Sequence, residues 1–135
     1  MPEITAFNPE GLARPASPFS KVVRVKASEF IFVAGMGPID KDGNIIGAGD
    51  LEAQARQVFA NIEAALKAAG AGWNNVVQFT TFLRDSDDIA KLAKYRIQHF
   101  PAMFPNGVYP TNTLVIATRF SHESYRLEVQ TVAAL

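Results

Sequence analysis

The sequence predicts an α+β domain in the order ββαβαββ, a sandwich in which five strands pack against two helices held on one face of the sheet. Two segments with apolar residues at three- and four-residue spacing predict the helices. Short alternating or β-branched runs, bounded by glycine, proline and asparagine, predict the strands. The 135 residues, 48% hydrophobic and 19% charged, are enough for one core and too few for two ordinary domains, so a single domain over 1–135 is expected.

The first 20 residues carry Asn8-Pro9 and Pro15-Ala16-Ser17-Pro18, which disfavour regular structure and predict an extended arm packed on the domain. Val22 to Lys26 alternates Val23 and Val25 with Arg24 and Lys26. Phe30 to Ala34 is a short aromatic and β-branched run, and Ala27-Ser28-Glu29 between the two predicts a β-hairpin. Gly35, Gly37 and Pro38 end the second strand, and Asp42-Gly43-Asn44 marks a turn.

Asp50 is a good N-cap for a helix in which Leu51, Ala55, Val58, Ile62, Ala65, Leu66 and Ala69 recur at helical spacing, with Gly70 as the stop. Val76 to Leu83 is apolar on parts of both faces and reads as a central strand. Asp85 or Ser86 can cap a second helix from about Asp87 to Phe100, with Ile89, Leu92, Ala93 and Arg96 on one side and Pro101 at its end. Two further strands, Asn112 to Thr118 and Tyr125 to Ala133, flank the polar turn Ser121-His122-Glu123-Ser124 and read as neighbours. With both helices on one side, the other sheet face keeps apolar residues such as Val23, Val25 and Phe32, and burial against identical subunits is expected.

The charge balance argues against several functions. Thirteen basic residues against 13 acidic ones leave no excess for a phosphate backbone, so no nucleic-acid partner is expected. Without cysteine there are no disulfides, thiolate metal sites or cysteine nucleophiles. No run of 18 uncharged apolar residues and no basic-then-apolar N-terminal segment occurs, so a soluble cytoplasmic protein without membrane association is expected. His99 and His122 have no carboxylate at ligand spacing and read as structural or surface histidines, so no metal site is expected. Nucleophile elbows, Walker loops and dinucleotide fingerprints are all missing.

Several blocks share one pattern. Ser17-Pro18-Phe19-Ser20, Ile31 to Pro38, Gln54-Ala55-Arg56-Gln57 with Asn61, Ala68-Ala69-Gly70, Val76 to Asp85, Pro110-Thr111-Asn112-Thr113 and Leu127-Glu128-Val129 run in order through nearly the whole chain. Together they resemble the reactive intermediate deaminase family, Rid or YjgF, some members of which are labelled endoribonucleases. The resemblance implies a chorismate-mutase-like fold and a homotrimer with a central barrel of sheets, helices outside and active sites in clefts between subunits. It also implies hydrolysis of enamines and imines such as 2-iminopropanoate, without a metal or organic cofactor.

In the family archetype an arginine binds the substrate carboxylate, a glutamate orients water, and a tyrosine, a serine and a glutamine line the cleft. By motif these positions are Asn112, Glu128, Phe19, Ala34 and Met36, and only the glutamate is retained. An asparagine amide offers a shorter, neutral donor in place of a charged fork whose contacts are worth ~1.5 to 3 kcal/mol each, a loss of about one to two decades in binding. The resemblance with these departures implies a deaminase whose substrate differs from simple 2-imino acids, with Glu128 catalytic and Asn112, Phe19, Ala34, Met36 and Tyr109 around the ligand. The alternative is a small-molecule-binding trimer without catalysis. Lys21, Arg24 or Arg119 could supply a replacement cation or be solvated strand-end charges. Asn112 could instead bond its own backbone, Glu128 could be an ordinary strand side chain, and Tyr109 could be a packing aromatic.

Overall fold

The computed structural model describes residues 1–135. Helix α1 spans Leu51–Ala68, with Asp50 accepting from the Ala53 N–H at 3.2 Å and Gly70 taking the left-handed conformation that closes the helix (φ +77°). Its inward stripe of Leu51, Ala55, Val58, Phe59, Ile62 and Leu66 is buried, each large side chain contributing about 1.5 to 3 kcal/mol by leaving water. Helix α2 spans Asp88–Met103 and buries Leu92, Tyr95, Arg96 and Phe100, whereas Ile89 turns outward. It passes Pro101 instead of stopping there. A proline in the last turn removes only one terminal N–H, and the Phe104 N–H still reaches the Phe100 carbonyl at 2.8 Å.

Six strands occur: β1 Glu3–Phe7, β2 Val22–Lys26, β3 Phe30–Met36, β4 Val76–Leu83, β5 Thr111–Ile116 and β6 Leu127–Ala134. Four form one sheet in the order β3-β6-β4-β5, with β4 and β5 parallel and the other pairs antiparallel. Both helices contribute to a core with Phe79 and Leu83 of β4 and Leu127 and Val129 of β6. The α+β sandwich is therefore as predicted.

Three expectations need correction. The N-terminal arm is not wholly irregular: Glu3–Phe7 lies between Pro2 and Pro9 and pairs antiparallel with β2, Ile4 opposite Val25. The predicted hairpin does not form, because β2 pairs with β1 and β3 with β6, and the Ser28 and Glu29 N–H groups donate to the Leu135 carbonyl. Finally, the strands bearing Asn112 and Glu128 are not neighbours, since β4 separates β5 from β6.

The second sheet face leaves Phe32 78% exposed and Val115 and Phe30 also in water. Beside it, Val22, Val23 and Val25 of β2 face Val77, Gln78 and Val132 across a hollow of about 380 Å³. The buried Gln54 secures α1 to the turn before β6, donating to the Ser124 carbonyl and accepting from the Arg126 N–H, both at 2.7 Å. Arg126 in turn forks onto the fully buried Asp88 at 2.8 and 2.9 Å, joining the starts of β6 and α2.

Candidate functional site

Glu128 stands half-buried on β6 directly opposite Phe82 of β4. Its carboxylate lies over β3 where two residues, Ala34 and Gly35, face the single residue Gln130 between the pairs Val33–Thr131 and Met36–Val129. This bulge bends the strand and frees backbone from the ladder. Gly35 is needed for the approach, because a Cβ there would overlap Glu128 Oε1 and stand 3.1 Å from its carboxyl carbon. Two residues on, Gly37 gives the same clearance to the buried ring of Tyr125. Burial, and secondarily the charge of Glu128, raise the Tyr125 phenol above its ordinary value. A carboxylate fixed beside open strand backbone can take a proton from water and return it to a leaving nitrogen.

Asn112 belongs to a different cluster. It pairs with Phe79, three positions from Phe82, so alternation puts Asn112 and Glu128 on opposite faces of the sheet. On the helix side its Oδ1 accepts from Thr81 Oγ1 at 2.7 Å and from Arg96 Nη2 at 3.1 Å, and Arg96 also donates to Thr81 Oγ1 at 2.6 Å. Arg96 is 3% exposed and makes no ion pair; burial pulls its guanidinium down to about 10. Its Cζ lies 5.6 Å from the centre of the Phe100 ring, a cation–π contact that holds the charge in place.

The remaining sequence-derived residues divide between these regions and the core. Ala34 is exposed at the bulge beside Glu128, whereas Met36 packs on the hydrophobic core. Phe19 lies beneath the Lys21 ammonium, 5.7 Å from its ring centre, and the next residue, Ser20, donates to the Pro110 carbonyl at the entrance to β5. Tyr109 packs edge-on to Phe104 at 5.9 Å and so takes the role of a packing aromatic. Neither Lys21, Arg24 nor Arg119 hydrogen-bonds to Asn112 or Glu128; Arg119 pairs with Glu123 at 3.6 Å. The cation beside Asn112 is Arg96. Its signal in the sequence was an arginine in the apolar stripe of a helix, between Leu92 and Phe100.

His99 stacks on Tyr95 at 4.1 Å and His122 on Tyr125 at 4.9 Å. No group of three or more His, Asp or Glu side chains is placed to hold a metal ion. The largest cavity, about 560 Å³, lies elsewhere, between the N-terminal segment and the ends of the helices, lined by Ile4, Met103, Phe104 and Val108 among others. It contains neither Glu128 nor Asn112.

The sequence profile of the family described as endoribonuclease L-PSP matches residues 11–135. The chain belongs to this family, the Rid or YjgF family. A RutC family protein of Pyrococcus horikoshii is 40% identical over 99 residues, 73% of this chain and 77% of that protein. The 3-aminoacrylate deaminase RutC of Acinetobacter baylyi is 32% identical over 97 residues, 72% and 75% of the two chains. Among solved structures, a Rid family protein from Yersinia pestis superposes with a TM-score of 0.86 at 26% identity, covering 98% of each chain. The Rid-type sheet and helices position Glu128 and Asn112 in this chain, and no helix is long and apolar enough to cross a membrane.

Proposed function

We propose that this Rid family member hydrolyses imines or enamines to carbonyl compounds and ammonia, with Glu128 as the catalytic residue. The placement of its carboxylate against the Gly35 bulge carries this reading. Water adds to the C=N carbon as Glu128 accepts one of its protons. Glu128 delivers that proton to the nitrogen, giving a carbinolamine, and then moves the hydroxyl proton to the same nitrogen, so that the C–N bond breaks and ammonia leaves as the carbonyl forms. No cofactor enters this sequence.

Asn112 and Glu128 face opposite sides of one sheet, so one ligand can meet both only where two copies of the chain adjoin. The exposed Phe32 and Val115 supply an apolar face for that contact, and a homotrimer with clefts between subunits meets the requirement. Phe19 and Ala34 bring no polar group of the kind the archetype uses. We therefore assign an imine with a larger apolar side chain than 2-iminopropanoate.

An amino-acid oxidase supplied with alanine, leucine, methionine or phenylalanine generates the corresponding imines. The protein should accelerate ammonia release from at least one, and Glu128→Gln should abolish the acceleration. Lack of acceleration on the whole panel rejects the reaction. Thermal stabilisation by a ligand recovered unchanged would then favour the non-catalytic binding trimer, a reading supported by the apolar replacements Phe19 and Ala34. Ribonuclease activity has little support: the formal net charge is zero, and the two histidines stack on separate tyrosines.

A further inference from the structure

Arg96 is a buried cation without a carboxylate in contact, and its Nε has no hydrogen-bond partner. A guanidinium can only donate. Arg96 Nη2 donates to both Thr81 Oγ1 and Asn112 Oδ1, and Thr81, already accepting from Arg96, gives its hydroxyl proton to the same Oδ1. Two donors converge on one amide oxygen. The reversed amide would set an N–H group against the Arg96 donor, so the guanidinium, which cannot accept, fixes the orientation of Asn112. Its Nδ2 then carries two N–H donors that meet no acceptor in the chain. It is not among the buried atoms lacking partners, so it borders solvent.

We propose that Arg96 is a positioning residue that holds Asn112 with its Nδ2–H donors toward the open side, where they bind the carboxylate of the imine substrate with a guanidinium charge directly behind them. This rests on the reading of Asn112 as a substrate contact. It gives the site a cation without an arginine on β5: the charge comes from α2 and acts through the amide. A carboxylate at Nδ2 also offsets a buried charge that otherwise has only Phe100 and neutral oxygens around it. The substrate is thereby an imino acid whose side chain, not its carboxylate, differs from that of 2-iminopropanoate.

The test uses two stable probes with one carbon skeleton, 2-oxobutanoate and its neutral amide 2-oxobutanamide, titrated calorimetrically into the full chain. The wild type should prefer the carboxylate by tenfold or more. Arg96→Met should reduce that preference to within about twofold while binding of the amide stays unchanged, which a merely structural role for Arg96 would not produce. Asn112→Asp guards against misfolding in that variant. Its new carboxylate pairs with Arg96, so the melting temperature should rise while 2-oxobutanoate binding is lost. A wild type without carboxylate preference, an Arg96→Met variant that weakens both probes equally or neither, or an Asn112→Asp variant that still binds 2-oxobutanoate overturns the proposal. Charge-selective binding without imine turnover would reject the reaction and leave this inference standing; turnover with charge-blind binding would do the reverse.

Discussion

Replacing Gly35 with alanine should separate activity from stability. A methyl group at Gly35 would overlap Glu128 Oε1 and stand 3.1 and 3.2 Å from the carboxyl and γ carbons, so the carboxylate must retreat from the bulge. Restoring ordinary contact takes a shift of ~1 Å, and a misplacement of that size at a catalytic group costs about 10²-fold in rate, or ~2.7 kcal/mol of barrier. Stability moves little. Gly35 is not among the glycines with positive φ, so alanine fits its backbone and gains about 0.5 to 1 kcal/mol over glycine in a strand, offset by the displaced side chain. Ammonia release from the best imine of the oxidase panel gives kcat/KM, and urea unfolding gives stability. Near wild-type kcat/KM in Gly35→Ala would refute the role of Glu128 at this bulge. A loss of activity matched by a loss of several kcal/mol of stability would refute the positioning argument.

The adjacent Gly37→Ala should behave oppositely: its methyl meets the Tyr125 ring, which is buried and has no room to retreat, so denaturant unfolding should show a loss of about 1 to 3 kcal/mol. Asp88→Asn should cost roughly 2 to 3 kcal/mol in the same assay, because the buried two-pronged contact to Arg126 loses its charge. Phe32→Glu places a charge on the uncovered sheet face and should convert the trimer proposed above to monomers by light scattering; an unchanged oligomer would show that this face is not the one that copies share.

Helix α1 was legible because Asp50, the apolar repeat and Gly70 all state the same boundary. Strand β1 was not, because Pro9, Pro15 and Pro18 dominate the segment and obscure the short alternation of Ile4 and Ala6. Strand pairing lay deeper. Alternation identifies residues that lie in a strand but not the strand beside them, so β2 and β3 read as a hairpin while each pairs elsewhere. At the candidate site, Glu128 was found through its motif, but its dependence on Gly35 required the bulge to be seen. Arg96 falls on the inward side of α2 in the sequence pattern but takes no role there, because an arginine on a helical stripe ordinarily extends its charge to solvent, and only the Thr81 and Asn112 oxygens on the facing strands explain its burial.

The strand order also shapes how the chain reaches this state. β6 lies between β3 and β4 yet follows both in sequence, and its first partner is distant: Phe30 pairs with Ala134. The helices can form from local contacts, but the sheet stays divided until the closing segment threads into its middle. Folding should accordingly take on the order of milliseconds to seconds, as chains dominated by distant pairings do. During that interval β3 and β4 expose open edges and apolar flanks, so refolding from denaturant should lose yield to aggregation as protein concentration rises.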